Sequence, residues 1–112
     1  VGASWEGFLL EQILGHLRLA GHHFEAYFLR TRDQYEIDLV LDFGKALWAI
    51  EIKLAASPGL RDLEKLNKIA DIIEADKRIM VSRTHRSQSS GNQISCNMPY
   101  LLEKIMDGSL EV

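Results

Sequence analysis

Cysteine is almost missing from this 112-residue chain. Cys96 stands alone, so no disulfide can close within it, and a reducing cytoplasm is the expected compartment. No hydrophobic run approaches a membrane span, and no charged-then-apolar signal segment occurs, so no membrane association is expected. Repeats are missing, as is any Gly-x-x-x-x-Gly-Lys-Ser/Thr stretch. Any ATPase activity would therefore belong to a part of the protein outside this segment. His16, His22 and His23 make no metal-ligand spacing, because neighbours on a strand face opposite ways. A large excess of either charge is also lacking. Thirteen Lys and Arg against 16 Asp and Glu give a formal charge of −3, which argues against strong independent binding to DNA.

With 46% hydrophobic and 26% charged residues, the composition is that of one folded domain, residues 1–112, small enough to lean on a partner surface. The chain opens inside a helix-like pattern, so it is expected to be a fragment of a longer protein. Its charge is uneven. Residues 1–76 hold eight cations and thirteen acids, whereas Lys77, Arg78, Arg83 and Arg86 lie in a segment, 77–102, without an acid. That segment permits weak or assisted nucleic-acid binding at Arg83 and Arg86; a solvated loop is the plainer reading.

The most informative stretch runs from Glu36 to Lys53. Ile37, Leu39, Leu41 and Phe43 alternate with Glu36, Asp38, Val40 and Asp42. After Gly44-Lys45, Trp48, Ile50 and Ile52 alternate with Leu47, Ala49, Glu51 and Lys53. A two-residue Gly-X loop suits a type II′ hairpin turn. Pairing Phe43 with Ala46 then sets Asp38 opposite Glu51 and Glu36 opposite Lys53, all four side chains on one face. Opposed carboxylates repel, and burying both is costly unless positive charge sits between them. Lys53 supplies one such charge, and a hard divalent cation would supply more. The alternative is a set of solvated cross-strand ion pairs.

Around this hairpin, residues 4–20 read as a helix with Glu6, Leu10, Ile13 and Leu17 on one stripe, widened by Trp5, Phe8, Leu9 and Leu14. Glu6 should point toward the sheet, whereas Glu11 is turned well away from it. Gly21 ends this helix. His23 to Arg30 read as an aromatic strand, joined by 31–34 to the next, and Arg30 can pair a carboxylate or grip phosphate. Ser57 and Pro58 suit the start of a helix reaching about Ala75, with Arg61, Lys65 and Lys68 as a solvated face. A short strand, 78–82, implies a crossover and parallel pairing with the Glu51 strand. Residues 83–93 are polar and unpatterned, and mobility is expected there. A strand at 94–97 and a helix at 98–107, capped by Asn97 and stopped by Gly108, complete an αβββαββα order.

Asp38, twelve intervening residues, and Glu51-Ile52-Lys53 resemble the Asp…(Asp/Glu)-x-Lys signature of the PD-(D/E)xK nuclease superfamily, with Ile37 in place of its namesake proline. More narrowly, five motifs occur in order: Gly2/Glu6, Tyr27-Phe28-Leu29-Arg30, Glu36-Ile37-Asp38, Ile50-Glu51-Ile52-Lys53 and Gly59-Leu60. Together they are similar to the C-terminal domain of unknown function carried by a family of prokaryotic AAA-type ATPases. The resemblance implies a restriction-endonuclease-like α/β/α sandwich with a central mixed β-sheet. It further implies Asp38 and Glu51 as ligands of Mg²⁺ or Mn²⁺, helped by the Ile52 carbonyl and Glu6, with Lys53 orienting or activating a water. The reaction would be phosphodiester hydrolysis in nucleic acid, DNA foremost, with an ATPase module in the same chain. Two other classes stay open: a regulatory module that binds nucleic acid or protein without cutting, and an assembly module whose apolar helix faces bury a partner, a homo-oligomer included.

Overall fold

The computed structural model describes residues 4–30 and 36–111, and the side chains of all of these but Arg30 and Glu36. Gly2, the 31–34 connection and the Glu36–Lys53 side-chain pairing therefore lie outside the described residues.

The first helix, α1 (Trp5–Leu19), begins where the Ser4 hydroxyl accepts the Gly7 N–H at 2.9 Å. It ends before Gly21, whose φ of 87° is readily accessible to a residue without a side chain. Leu9, Ile13 and Leu17 are its buried stripe, while Phe8 is left exposed. Three antiparallel strands follow: β1 (Glu25–Arg30), β2 (Glu36–Asp42) and β3 (Leu47–Ile52). The turn between β2 and β3 sits at Gly44, with φ of 85°, and Phe43 N–H bonds the Ala46 carbonyl at 2.9 Å. Leu39 opposite Ile50 and Leu41 opposite Trp48 continue the register expected from that turn.

Helix α2 (Leu60–Ile72) crosses back to β4 (Lys77–Val81), which runs parallel to β3 as expected. The start of α2 differs from the expectation. Gly59 rather than Ser57 is the N-cap, and the Asp62 carboxylate accepts the Gly59 N–H at 3.0 Å. An acid three residues into the helix supplies the cap that a glycine cannot. Expected to be mobile, 83–93 instead contains a strand, β5 (Gln88–Ser90), turned through Gly91 into β6 (Gln93–Cys96). The element order is thus αβββαβββα. Gln88, Ser89 and Ser90 form an edge strand with all three residues exposed, so no apolar face marks it in the sequence. Helix α3 (Met98–Asp107) has the expected limits: Asn97 accepts the Tyr100 N–H at 3.0 Å, and Gly108 is left-handed at φ 76°.

The sheet order is β1-β2-β3-β4-β6-β5. Leu9, Ile13 and Leu17 of α1, with Leu101 and Ile105 of α3, pack on Leu39, Leu41, Trp48, Ile50 and Ile79. On the other face Leu66, Ile69 and Ala70 of α2 pack on Ile37, Val40, Ala49 and Met80. The result is the α/β/α sandwich with a mixed central sheet expected from the sequence.

Simple alternation fails near the start of β2. Ile37, expected beside Leu39 and Leu41, lies in the α2-side core with Val40. Between the pairs Tyr27–Val40 and Leu29–Ile37, β1 has one residue, Phe28, and β2 has two, Asp38 and Leu39. This bulge reverses the facing of the strand, so Asp38 sits where β2 changes sides.

Candidate active site

Asp38 stands at the junction of the sheet's two layers. Its Oδ2 accepts the Ile52 backbone N–H at 2.7 Å, serving a donor just beyond the paired stretch of β2 and β3. The same carboxyl group is close enough to Glu51 of β3 and Glu6 of α1 to act on both by charge and hydrogen bonding. Asp38 thus influences an acid on each of two other elements. Glu6 is half-buried and reaches the sheet as its place on the helix stripe predicts.

Such contacts between carboxyl groups require protons. Burial, followed by the hydrogen bond and charge of Asp38, pushes the Glu51 carboxyl up to about 9; the nearby ammonium groups of Lys65 and Lys53 pull it back in part. Glu6 is raised as well, by its burial first and then by the charge and hydrogen bond of Asp38. The site is short of positive charge.

Lys53 supplies less than its sequence position suggests. Its ammonium lies 3.2 Å from Asp62 Oδ1 in the first turn of α2, and its side chain is 47% exposed. Asp62, held below the usual carboxylate range by the Gly59 N–H and then by Lys53, holds both the helix start and the lysine. Asp38, Glu51, Ile52, Lys53, Asp62 and Lys65 line one cavity of about 120 Å³. It opens at the carboxyl end of β3, beside the start of α2, where open α/β sheets usually place their ligands.

Asp62 and Lys65 escaped the sequence reading, which took Lys65 as part of a solvated face. The available signal was their position: both fall in the first turns of the helix that follows the Glu51-x-Lys53 strand. The proposed nucleic-acid contacts part company. Arg83 lies over the Trp5 ring at 5.3 Å, on the α1 side. Arg86 lines a different cavity on the α2 side. The Arg30 side chain lies outside the described residues.

Among the described residues, no three His, Cys, Asp or Glu side chains gather in an arrangement that would hold a metal ion. Glu51 lines the pocket with Asp38, and Glu6 does not. Nevertheless, the chemistry of the set suits a hard cation. Carboxylate oxygens predominate in the lining, and these are the donors hard cations take.

Fold and site together define an α/β sandwich with an acidic pocket beside its central hairpin. The chain belongs to the family described as Domain of unknown function (DUF4143), whose model matches residues 1–101. It is similar to an uncharacterized protein of Mycobacterium bovis, 35% identical over 60 residues that make up 54% of this chain. A match to an uncharacterized protein of Mycobacterium tuberculosis has the same identity and extent. The matched segment spans 13% of the length of each of these relatives. Among the described residues, no helix is long and apolar enough to cross a membrane.

Proposed function

We propose that this is a nuclease-like domain of the PD-(D/E)xK superfamily, a metal-dependent phosphodiesterase acting on nucleic acid as part of an AAA-type ATPase. The observation that carries the reading is the meeting of Asp38 and Glu51 in one pocket with Lys53 at its edge. Asp38 and Glu51 would hold Mg²⁺ or Mn²⁺ with the Ile52 carbonyl, and Glu6 would support them through Asp38. Once bound, the cation would polarise a phosphate oxygen and lower the pKa of a water. Lys53 would leave Asp62 for the substrate phosphate and offset its growing negative charge. Lys65 adds a second cation to the same pocket and would help to seat the phosphate. Asp62 would act as a positioning residue that keeps Lys53 at the pocket's edge.

Calorimetric titration with Mn²⁺ tests the reading directly. Wild type should bind and Asp38→Asn should not. Nuclease assays on duplex, branched and single-stranded DNA, with Lys53→Ala as control, then read cutting; activity equal in both proteins would mark a contaminant and sink the reading.

A second reading, a regulatory module that binds nucleic acid or protein without cutting, is favoured by the Lys53–Asp62 ion pair, which occupies the amine that hydrolysis needs. Nucleic-acid binding that is indifferent to Mn²⁺ and to Lys53→Ala would support it.

A further inference from the structure

A second cavity, of about 240 Å³, lies between the start of α2 and the β5–β6 hairpin. The first turn of α2 contributes to both cavities: Asp62 lines the acidic pocket and Leu63 lines the second. Their chemistry is opposite. The acidic pocket carries three carboxylates, whereas the second lining has none.

The lining offers three kinds of contact. Arg86 brings a guanidinium, the donor best suited to a phosphate. Gln88 and Gln93 bring side-chain amides, which can pair with the edge of a base. Pro58 and Leu63 bring an apolar patch for the face of a ring. The arginine segment is tied down: the Thr84 hydroxyl accepts the Arg86 N–H and donates to the Arg86 carbonyl, each at 3.1 Å. Gln93 is oriented as well, since its Oε1 accepts from Asn67 of α2 at 2.7 Å, leaving its NH₂ group as the donor for a ligand.

We infer that this cavity is a subsite for one nucleotide of the strand whose neighbouring phosphodiester enters the acidic pocket. The strand's path rests on the nuclease reading; the nucleotide chemistry of the cavity does not. Arg86 takes the phosphate, the glutamine amides meet the base edge, and Pro58 and Leu63 pack on the ring. Because the first turn of α2 contributes to both linings, the strand would cross that turn on its way toward Lys53 and Lys65.

The test is a set of NMR titrations of the protein with 5′-AMP, adenosine and inorganic phosphate. 5′-AMP should shift the side-chain amide signals of Gln88 and Gln93 and bind more tightly than either fragment. Arg86→Ala should weaken 5′-AMP by about tenfold, to the level of adenosine, as loss of a charge-assisted contact implies. Gln88→Ala should weaken adenosine and 5′-AMP alike. Unmoved glutamine signals would overturn the inference, and so would inorganic phosphate reproducing the whole 5′-AMP pattern, which marks a phosphate site alone. Adding Mn²⁺ to the same samples reports separately on the other pocket. If signals around Glu51 fail to broaden while the 5′-AMP shifts persist, the nuclease reading falls and the cavity stands as a nucleotide site.

Discussion

Replacing Glu51 with glutamine probes the electrostatics of the acidic pocket without adding a charge. In the folded protein the Glu51 carboxyl is pushed up to about 9, from an ordinary value of 4.5. Between those values the folded state keeps a proton that the unfolded chain releases. A group raised in this way contributes its full stability below the unfolded pKa, and the contribution is lost as pH climbs toward the folded one. At about 1.4 kcal/mol per pH unit the whole span would come to roughly 6 kcal/mol. Glu51 is half-buried, so solvent screens the effect, and about 2–3 kcal/mol is the magnitude to expect. For a domain of this size each kcal/mol moves Tm by about 4 °C. Metal-free wild type should therefore lose about 8–12 °C between roughly pH 5 and pH 9 through this group. Glu51→Gln has no carboxyl to ionise and should be the more stable protein at the alkaline end. Scanning calorimetry of both proteins in chelator-containing buffers reads the difference. Parallel Tm curves across that range would refute the reasoning.

Three further outcomes are expected from the same geometry. On the proposed reading Mn²⁺ would have to displace the Glu51 proton, so its affinity should rise by up to about tenfold per pH unit between roughly pH 6 and pH 8.5, with proton release visible across buffers of different ionisation enthalpy; a flat profile would oppose it. Asp62→Asn weakens both the Gly59 cap and the Lys53 ion pair and should cost about 1–2 kcal/mol in urea unfolding, most of it from the cap. An unchanged midpoint would show that the helix start does not depend on that carboxylate. The Cys96 thiol is buried, which pushes its pKa up to about 12; a disulfide reagent near neutral pH should label it only as fast as the protein unfolds. Rapid labelling of native protein would place the thiol outside the core.

The turn at Gly44-Lys45 made the central hairpin legible. A tight loop leaves one register, which the strands keep as far as Leu39 opposite Ile50; counting one step further gives the expectation of Asp38 opposite Glu51. The limits of α3 were legible because Asn97 and Gly108 act on groups within a few residues of themselves. Ile37 was placed on the wrong face because alternation assumes an unbroken strand, and the bulge opposite Phe28 arises in the pairing of β2 with β1. β5 was missed because an exposed edge strand of glutamine and serines has no buried side to betray it.

The sequence by itself determined most of the elements and the hairpin register, since these depend on local periodicity and turn chemistry. Tertiary structure alone decided which groups the acids of the site meet. The bulge falls at Asp38, whose charge raises both Glu51 and Glu6, the start of α2 draws Lys53 to Asp62, and Lys65 enters the pocket from a helix face that reads as solvated. Charge acts through space and burial, and neither is fixed until distant parts of the chain are packed together.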